Sequence, residues 1–212
     1  MTLRTYQREA VDALWRSLCE RDGDPLVVVP TGGGKTHIIA SFVAELLERA
    51  PEARVLVASH VKEIVQQDAA KLEVSCGPLR VGVYSAGLGR RELGRPVTVA
   101  SVQSIARRAR RLDPVDVLIV DEAHLIPPKG EGQYRRLIRT LRDHNPAMKL
   151  VGFSATPYRM NSGPLTEGKG APFGFIAHEV SMSMLIEQGY LSPLRSKQGL
   201  THPDLTRVRV RG

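Results

Sequence analysis

The sequence predicts an α/β fold, a mostly parallel sheet with helices on both faces. Short, nearly continuous β-branched runs alternate with segments of helical periodicity, as expected of strands buried on both sides. One such run passes directly into a glycine-rich turn and then a helix. Another, Val115 to Val120 broken only by Asp116, ends in two adjacent carboxylates in the stretch LIVDEAHLI, Asp121 and Glu122. Adjacent acids at the tip of a buried strand repel each other and lose hydration, so they imply a cation.

The elements follow in order. Leu26 to Val29 is a buried strand, and Ile38, Ile39, Phe42, Val43, Leu46 and Leu47 recur at helical spacing until Pro51. Arg54 to Ser59 is strand-like, and Val61, Ile64, Val65 and Leu72 mark a second helix. Val81 to Tyr84 and Val97 to Val102 are further strands, followed by a basic helix from about Gln103 to Leu112. Val115 to Val120 is a strand, Tyr134 to Leu141 a helix and Lys149 to Ser154 a strand. Asn161 to Gly174, rich in Gly and Pro, reads as a loop. A last helix spans about Met182 to Gln188 and stops at Gly189. Periodicity fades after Leu191, and the terminal VRVRG reads as a connection to a further unit.

Composition narrows the class. The 212 residues, 42% hydrophobic and 25% charged, fit one large domain or one and a half, with a core that needs no staples. Cys19 and Cys76 form no CxxC, which suggests a reducing compartment and argues against zinc. The polar N-terminus is no signal peptide, and no apolar run reaches the roughly 18 residues of a membrane helix. A cytoplasmic chain with no membrane partner is expected. The formal charge of +8 favours a polyanionic partner without identifying it.

Pro30 to Thr36 reads PTGGGKT. Such a loop turns backbone N–H groups around phosphate oxygens, and the following helix adds its positive end. Glycines allow the close approach. Lys35 can reach the outer phosphates, and the Thr36 hydroxyl can hold Mg²⁺. The strict phosphate-loop pattern places glycine where this chain has Val29, so the match is incomplete. Strands of a parallel sheet present their carboxyl ends to the ligand crevice. The Asp121 strand is therefore expected beside the strand that feeds the loop. Asp121 could then bind Mg²⁺, and Glu122 could orient or deprotonate the attacking water.

Pro30 to Thr36, Asp121 to His124 (DEAH) and Ser154 to Pro157 (SATP) resemble motifs I, II and III of superfamily 2 helicases, in order and spacing. LRTYQREAV resembles their adenine-recognition element. RVLVASHVKEIVQQ, YSAGLGRRE, VASVQSIARR, SATPYR and IEQGYLSPLR extend the likeness to the RadD group of bacterial DNA-repair ATPases, from about Leu3 to Arg195.

The resemblance implies a RecA-like P-loop NTPase lobe over 1–190, with 191–212 leading toward a second RecA-like lobe. It implies ATP and Mg²⁺ as cofactors and a nucleic-acid-stimulated ATPase or helicase acting in DNA repair or recombination. A lone lobe would be nearly inactive, because the second lobe supplies arginine fingers. The resemblance assigns Gln7, with Arg4 nearby, to adenine. It assigns Thr31, Gly32, Gly33, Gly34, Lys35 and Thr36 to phosphates, and Thr36 and Asp121 to the metal. Catalysis would fall to Lys35, Asp121 and Glu122. His124, Ser154 and Thr156 would couple nucleotide state to lobe movement. Ser59, His60, Lys62, Ser101, Gln103 and Ser104 would touch nucleic acid, DNA in preference to RNA. Arg107, Arg108, Arg110 and Arg111 read most simply as a solvated helix face. Three alternatives stay open: a restriction-enzyme motor lobe, an RNA helicase, or a nucleotide-dependent switch that does not unwind.

Overall fold

A computed structural model describes residues 2–159 and 163–193. Most of the predicted terminal connection, 194–212, lies outside these, as do Asn161 and Ser162 of the predicted loop. The elements are α1 (Thr5–Glu20), β1 (Pro25–Val28), α2 (Lys35–Arg49), β2 (Val55–Ser59), α3 (Lys62–Cys76), β3 (Val81–Ser85) and β4 (Arg90–Arg91). There follow β5 (Val97–Ser101), α4 (Val102–Ile105), β6 (Val117–Val120), α5 (Gln133–His144), β7 (Lys149–Ser154), the small ladder β8 (Tyr158–Arg159) and β9 (Gly163–Pro164), β10 (Phe175–Glu179) and α6 (Met182–Glu187).

Eight strands form one sheet in the order β10-β1-β7-β6-β2-β5-β3-β4. Neighbours run parallel except β3 and β4. The apolar runs alternate faces as strand geometry dictates. Val27, Val57, Val99, Ile119 and Phe153 pack beneath α1, α2 and α3. Leu26, Leu56, Ala100, Leu118 and Leu150 pack against α4, α5 and Phe173. Each of these Val, Leu, Ile and Phe side chains, fully buried, contributes about 1.5–3 kcal/mol.

The structure departs from the sequence reading in four places. The Asp121 strand β6 does not adjoin β1, because β7 inserts between them and places Ser154 there. The predicted basic helix from Gln103 to Leu112 is not continuous: α4 ends at Ile105, and a tight turn at Ala109–Arg111 follows. Arg107, Arg108, Arg110 and Arg111 would repel one another at helical i,i+3 and i,i+4 spacing. The broken path still buries Ala106 and Ala109, then delivers the chain to Val115. Helix α1 was not anticipated, although Tyr6, Ala10, Val11 and Leu14 form its buried stripe. Strand β10 was also missed; it pairs with β1 at the sheet edge, and its half-buried residues show no clean alternation.

Gly152 in β7 lies under the buried Phe173 ring, which a Cβ there would overlap. Strand propensity alone favours alanine over glycine, but overpacking costs about 1–3 kcal/mol and should dominate. Gly152→Ala should therefore lower the urea unfolding midpoint. An unchanged or raised midpoint would mean that the ring yields freely.

Candidate functional site

The glycine loop is set by its attachments. Val29 N–H donates to the Ser154 carbonyl at 2.9 Å, extending the β1–β7 pairing by one residue. Gly33 N–H then donates to the Pro30 carbonyl at 2.9 Å, closing the turn. Gly32 and Gly34 both have φ of +81°, and Gly34 caps α2, so Lys35 is its first helical residue. A side chain in this left-handed conformation costs about 1–2 kcal/mol. The loop is also packed from behind. A Cβ on Gly33 would stand 2.7 Å from Val29 Cγ1 and 3.2 Å from Leu185 Cδ1, and one on Gly34 would collide with Gln7 Nε2. In front lies a cleft of about 410 Å³ between the loop and α3 (Ile64, Gln67, Lys71), reaching Asp121 and Glu122.

At the tip of β6, Asp121 is 2% exposed, and its N–H donates to the Ala58 carbonyl at 3.0 Å. Its Oδ1 accepts the Glu122 N–H at 2.9 Å. Glu122, with φ 56° and ψ 49°, is the non-glycine residue in the left-handed region among those described. That pose aims its carboxylate back at the loop, with Lys35 Nζ 3.3 Å from Oε1. His124 Nδ1 lies 3.3 Å from Glu122 Oε2 and 3.2 Å from Ser154 Oγ. Burial pushes the Asp121 carboxyl above its usual range, opposed by Lys35 and reinforced by Glu122.

The sequence reading overlooked Asp68. It sits fully buried on α3, with no hydrogen bond of ordinary geometry to either oxygen. Burial, then Asp121, raises its pKa; the approach of the Thr36 hydroxyl and the charge of Lys35 oppose the rise. A signal existed. Val65, Asp68, Ala69 and Leu72 fall at i, i+3, i+4 and i+7, which puts a carboxylate on the apolar stripe. Among the described residues no group of three or more His, Cys, Asp or Glu forms a metal cage.

Arg4 and Gln7 lie behind the loop, outside the wall of the cleft. Gln7 Oε1 accepts the Arg4 N–H at 3.0 Å, and its Nε2 is 3.4 Å from the Gly33 carbonyl. Tyr6 OH donates to that carbonyl at 2.8 Å. Arg4 stacks 4.4 Å over the Tyr190 ring, which lies 5.3 Å from Tyr6.

The remaining expected residues gather at the ends of β2 and β5. Ser59 is fully buried, so its hydroxyl does not reach the surface where a nucleic-acid contact was expected. Ser101 is 6% exposed and donates to Ser104 Oγ at 2.8 Å. His60, Lys62 and Gln103 are exposed, with Gln103 Nε2 3.0 Å from His60 Nε2. The Tyr134 ring stacks beside His60. Arg107 and Arg108 line a groove of about 330 Å³ with Gln103 and Ser104. Thr156 N–H donates to Ser154 Oγ at 3.3 Å, linking it to the His124 contact. Cys19 and Cys76 are free thiols. Among the described residues no helix is long and apolar enough to cross a membrane.

Comparison with known proteins gives three kinds of likeness. The family described as type III restriction enzyme, res subunit, matches residues 1–159. IRC3 of Saccharomyces cerevisiae, a candidate ATP-dependent helicase, is 30% identical over 173 residues, covering 77% of this chain and 25% of IRC3. The chain thus spans about a quarter of that relative's length. Among solved structures, a nuclease-deletion mutant of the type ISP restriction-modification enzyme LlaGI, in complex with a DNA substrate mimic, aligns with a TM-score of 0.63 at 14% identity, over 90% of this chain and 21% of that one. Dbp5 of S. cerevisiae, bound to RNA and ADP BeF3, aligns with a TM-score of 0.57 at 18% identity, over 72% and 40%. At such identities the structural likeness establishes the RecA-like helicase-core fold.

Gly34 and Gln7 are coupled by contact, so their exchanges should not be additive. Gly34→Ala should destabilise the chain by about 1–2 kcal/mol from backbone conformation alone, and further by displacing the Gln7 amide. In Gln7→Ala the same exchange should cost less. A urea double-mutant cycle measures the difference; additive costs would mean that the amide does not brace the loop.

Proposed function

Since the chain belongs to the family of the type III restriction enzyme res subunit, we propose that it is the ATP-binding lobe of a nucleic-acid-dependent motor ATPase. The observation that carries this is the approach of Lys35 Nζ to 3.3 Å from Glu122 Oε1 across the cleft. It joins a phosphate-binding loop to a water-activating carboxylate. The cleft suits a nucleotide: the glycines let the loop backbone close against Gln7, Val29 and Leu185 behind it, and Thr31, Gly32, Gly34, Lys35 and Thr36 face the cleft. Thr36 and Asp121 would supply hard oxygen donors of the kind Mg²⁺ prefers. The bound ion would neutralise charge that develops on the transferred phosphoryl group.

The chain's own groups then divide the work. Thr31 to Thr36 hold phosphates, and a phosphate oxygen competes with Glu122 for Lys35. Once released, Glu122 takes a proton from the attacking water. His124 contacts both Glu122 and Ser154, so a change at Glu122 reaches β7 and Thr156. Gln7 and Arg4 take adenine at the back of the loop. A second RecA-like lobe supplies arginine fingers, worth about 10³–10⁵ in rate in related phosphoryl transfer. Within the family, the motif pattern favours a RadD-like repair role for a cytoplasmic protein acting on DNA. A restriction-enzyme motor is the second reading, favoured by the family match itself.

The chain should bind a fluorescent ATP analogue in the presence of Mg²⁺ and hydrolyse ATP far more slowly than a two-lobed relative. Lys35→Ala should weaken binding at least tenfold, whereas Glu122→Gln should leave it largely intact. Wild-type preference for ATP over GTP should shrink in Gln7→Ala. Equal binding by wild type and Lys35→Ala would remove the loop from the site.

Nucleic acid should cross the carboxyl ends of β2 and β5, touching His60, Lys62, Gln103 and Ser104 and the groove arginines Arg107 and Arg108. Each phosphate contact steepens the salt dependence by about 0.7 for single strands. Removing both arginines should weaken single-stranded DNA binding and flatten the log–log slope by about 1.4. An unchanged slope would return them to the solvated surface.

A further inference from the structure

The buried carboxyl group of Asp68 has no structural explanation. It is 0% exposed, and neither oxygen has a hydrogen bond of ordinary geometry. Buried carboxylates are normally met by a cation or several donors. Here the nearby charges include two further carboxyl groups, Asp121 and Glu122, with Lys35 the opposing cation. An apolar side chain would complete the stripe of Val65, Ala69 and Leu72 without that cost. Asp68 also neighbours the Thr36 hydroxyl, the group read above as a magnesium ligand.

We propose that Asp68 is a positioning residue of the nucleotide site, an acceptor that orients the Thr36 hydroxyl and the water shell of the magnesium carried by the nucleotide. The proposal rests on reading the cleft as a magnesium–nucleotide site. A divalent cation beside Thr36 and Asp121 would add to the charge of Lys35, which alone faces three carboxyl groups. An outer acceptor fixes the direction of a hydroxyl ligand, as residues behind the primary ligands do at other metal sites. The cost of the unpaired carboxylate falls on the free chain, and the gain is made when the nucleotide binds.

Asp68→Asn keeps the shape and removes the charge. In the 212-residue chain, thermal melting and binding of a fluorescent ADP analogue, with Mg²⁺ and with EDTA, are the readouts. The exchange should raise the melting temperature of the free chain. It should weaken binding about tenfold or more with Mg²⁺ and leave binding in EDTA unchanged. A merely structural residue would show the reverse: a lower melting temperature and an unaltered ratio of the two affinities. That result overturns the role. Asp68→Ser, which keeps a small hydroxyl and cannot carry charge, should reproduce the loss of magnesium dependence if Asn perturbs packing. If the wild type binds no ADP with Mg²⁺, the nucleotide reading and this role fall together. If wild type and both variants show the same magnesium dependence, the role of Asp68 falls alone.

Discussion

The site is organised around one ammonium group. Lys35 Nζ lies 3.3 Å from Glu122 Oε1, and its charge favours the ionised forms of Asp121 and Asp68. Carboxyl groups from three places, the tip of β6, the turn after it and the middle of α3, converge on a side chain from the first turn of α2. Coulomb attraction at such a separation is modest in water and several-fold stronger near protein. The balance therefore depends on how far water enters the cleft; the sheet beneath shields Asp121, whereas Glu122 stays partly open to it. The sharp backbone turn at Glu122, with φ 56°, belongs to the same arrangement. Without it, the carboxylate would continue along the line of β6.

Strand β7 gives this electrostatic cluster its mechanical frame. Lying between β1 and β6, it touches the glycine loop through the Ser154 carbonyl and the carboxylate turn through Ser154 Oγ and His124. A single serine thus holds both halves of the site in register. The exposed edge that carries His60, Lys62 and Gln103 lies one strand further on, at the ends of β2 and β5. There Tyr134 stacks beside His60 while its buried hydroxyl lies near the charges of Asp121 and Glu122. The two regions share a wall.

Most of the fold was legible because its strands are nearly pure β-branched runs and its helices carry regular stripes. What stayed hidden follows from particular residues. FIAHE in β10 is half-buried throughout, so no alternation marks it as a strand. In α1 the stripe was present, but Ser17 and the charged residues between its apolar positions diluted it. IARRARRL has good helix formers, and only charge repulsion and the geometry of the exit toward Val115 break it. The order of strands cannot be read from runs of apolar residues, so the insertion of β7 came from tertiary packing. Within the site, the motif residues were visible because their spacing is distinctive. Asp68 lay in a segment read only for its hydrophobic positions.

Leu185 packs against Gly33, a Cβ on Gly32 would stand 2.9 Å from Leu191, and Tyr190 is wedged against Tyr6 and Arg4. The segment from Leu185 to Leu191 is thus moored to the glycine loop and to the start of α1. A displacement of that segment would be felt first by the backbone of the loop. In mechanical terms the loop is the point where the rope is tied.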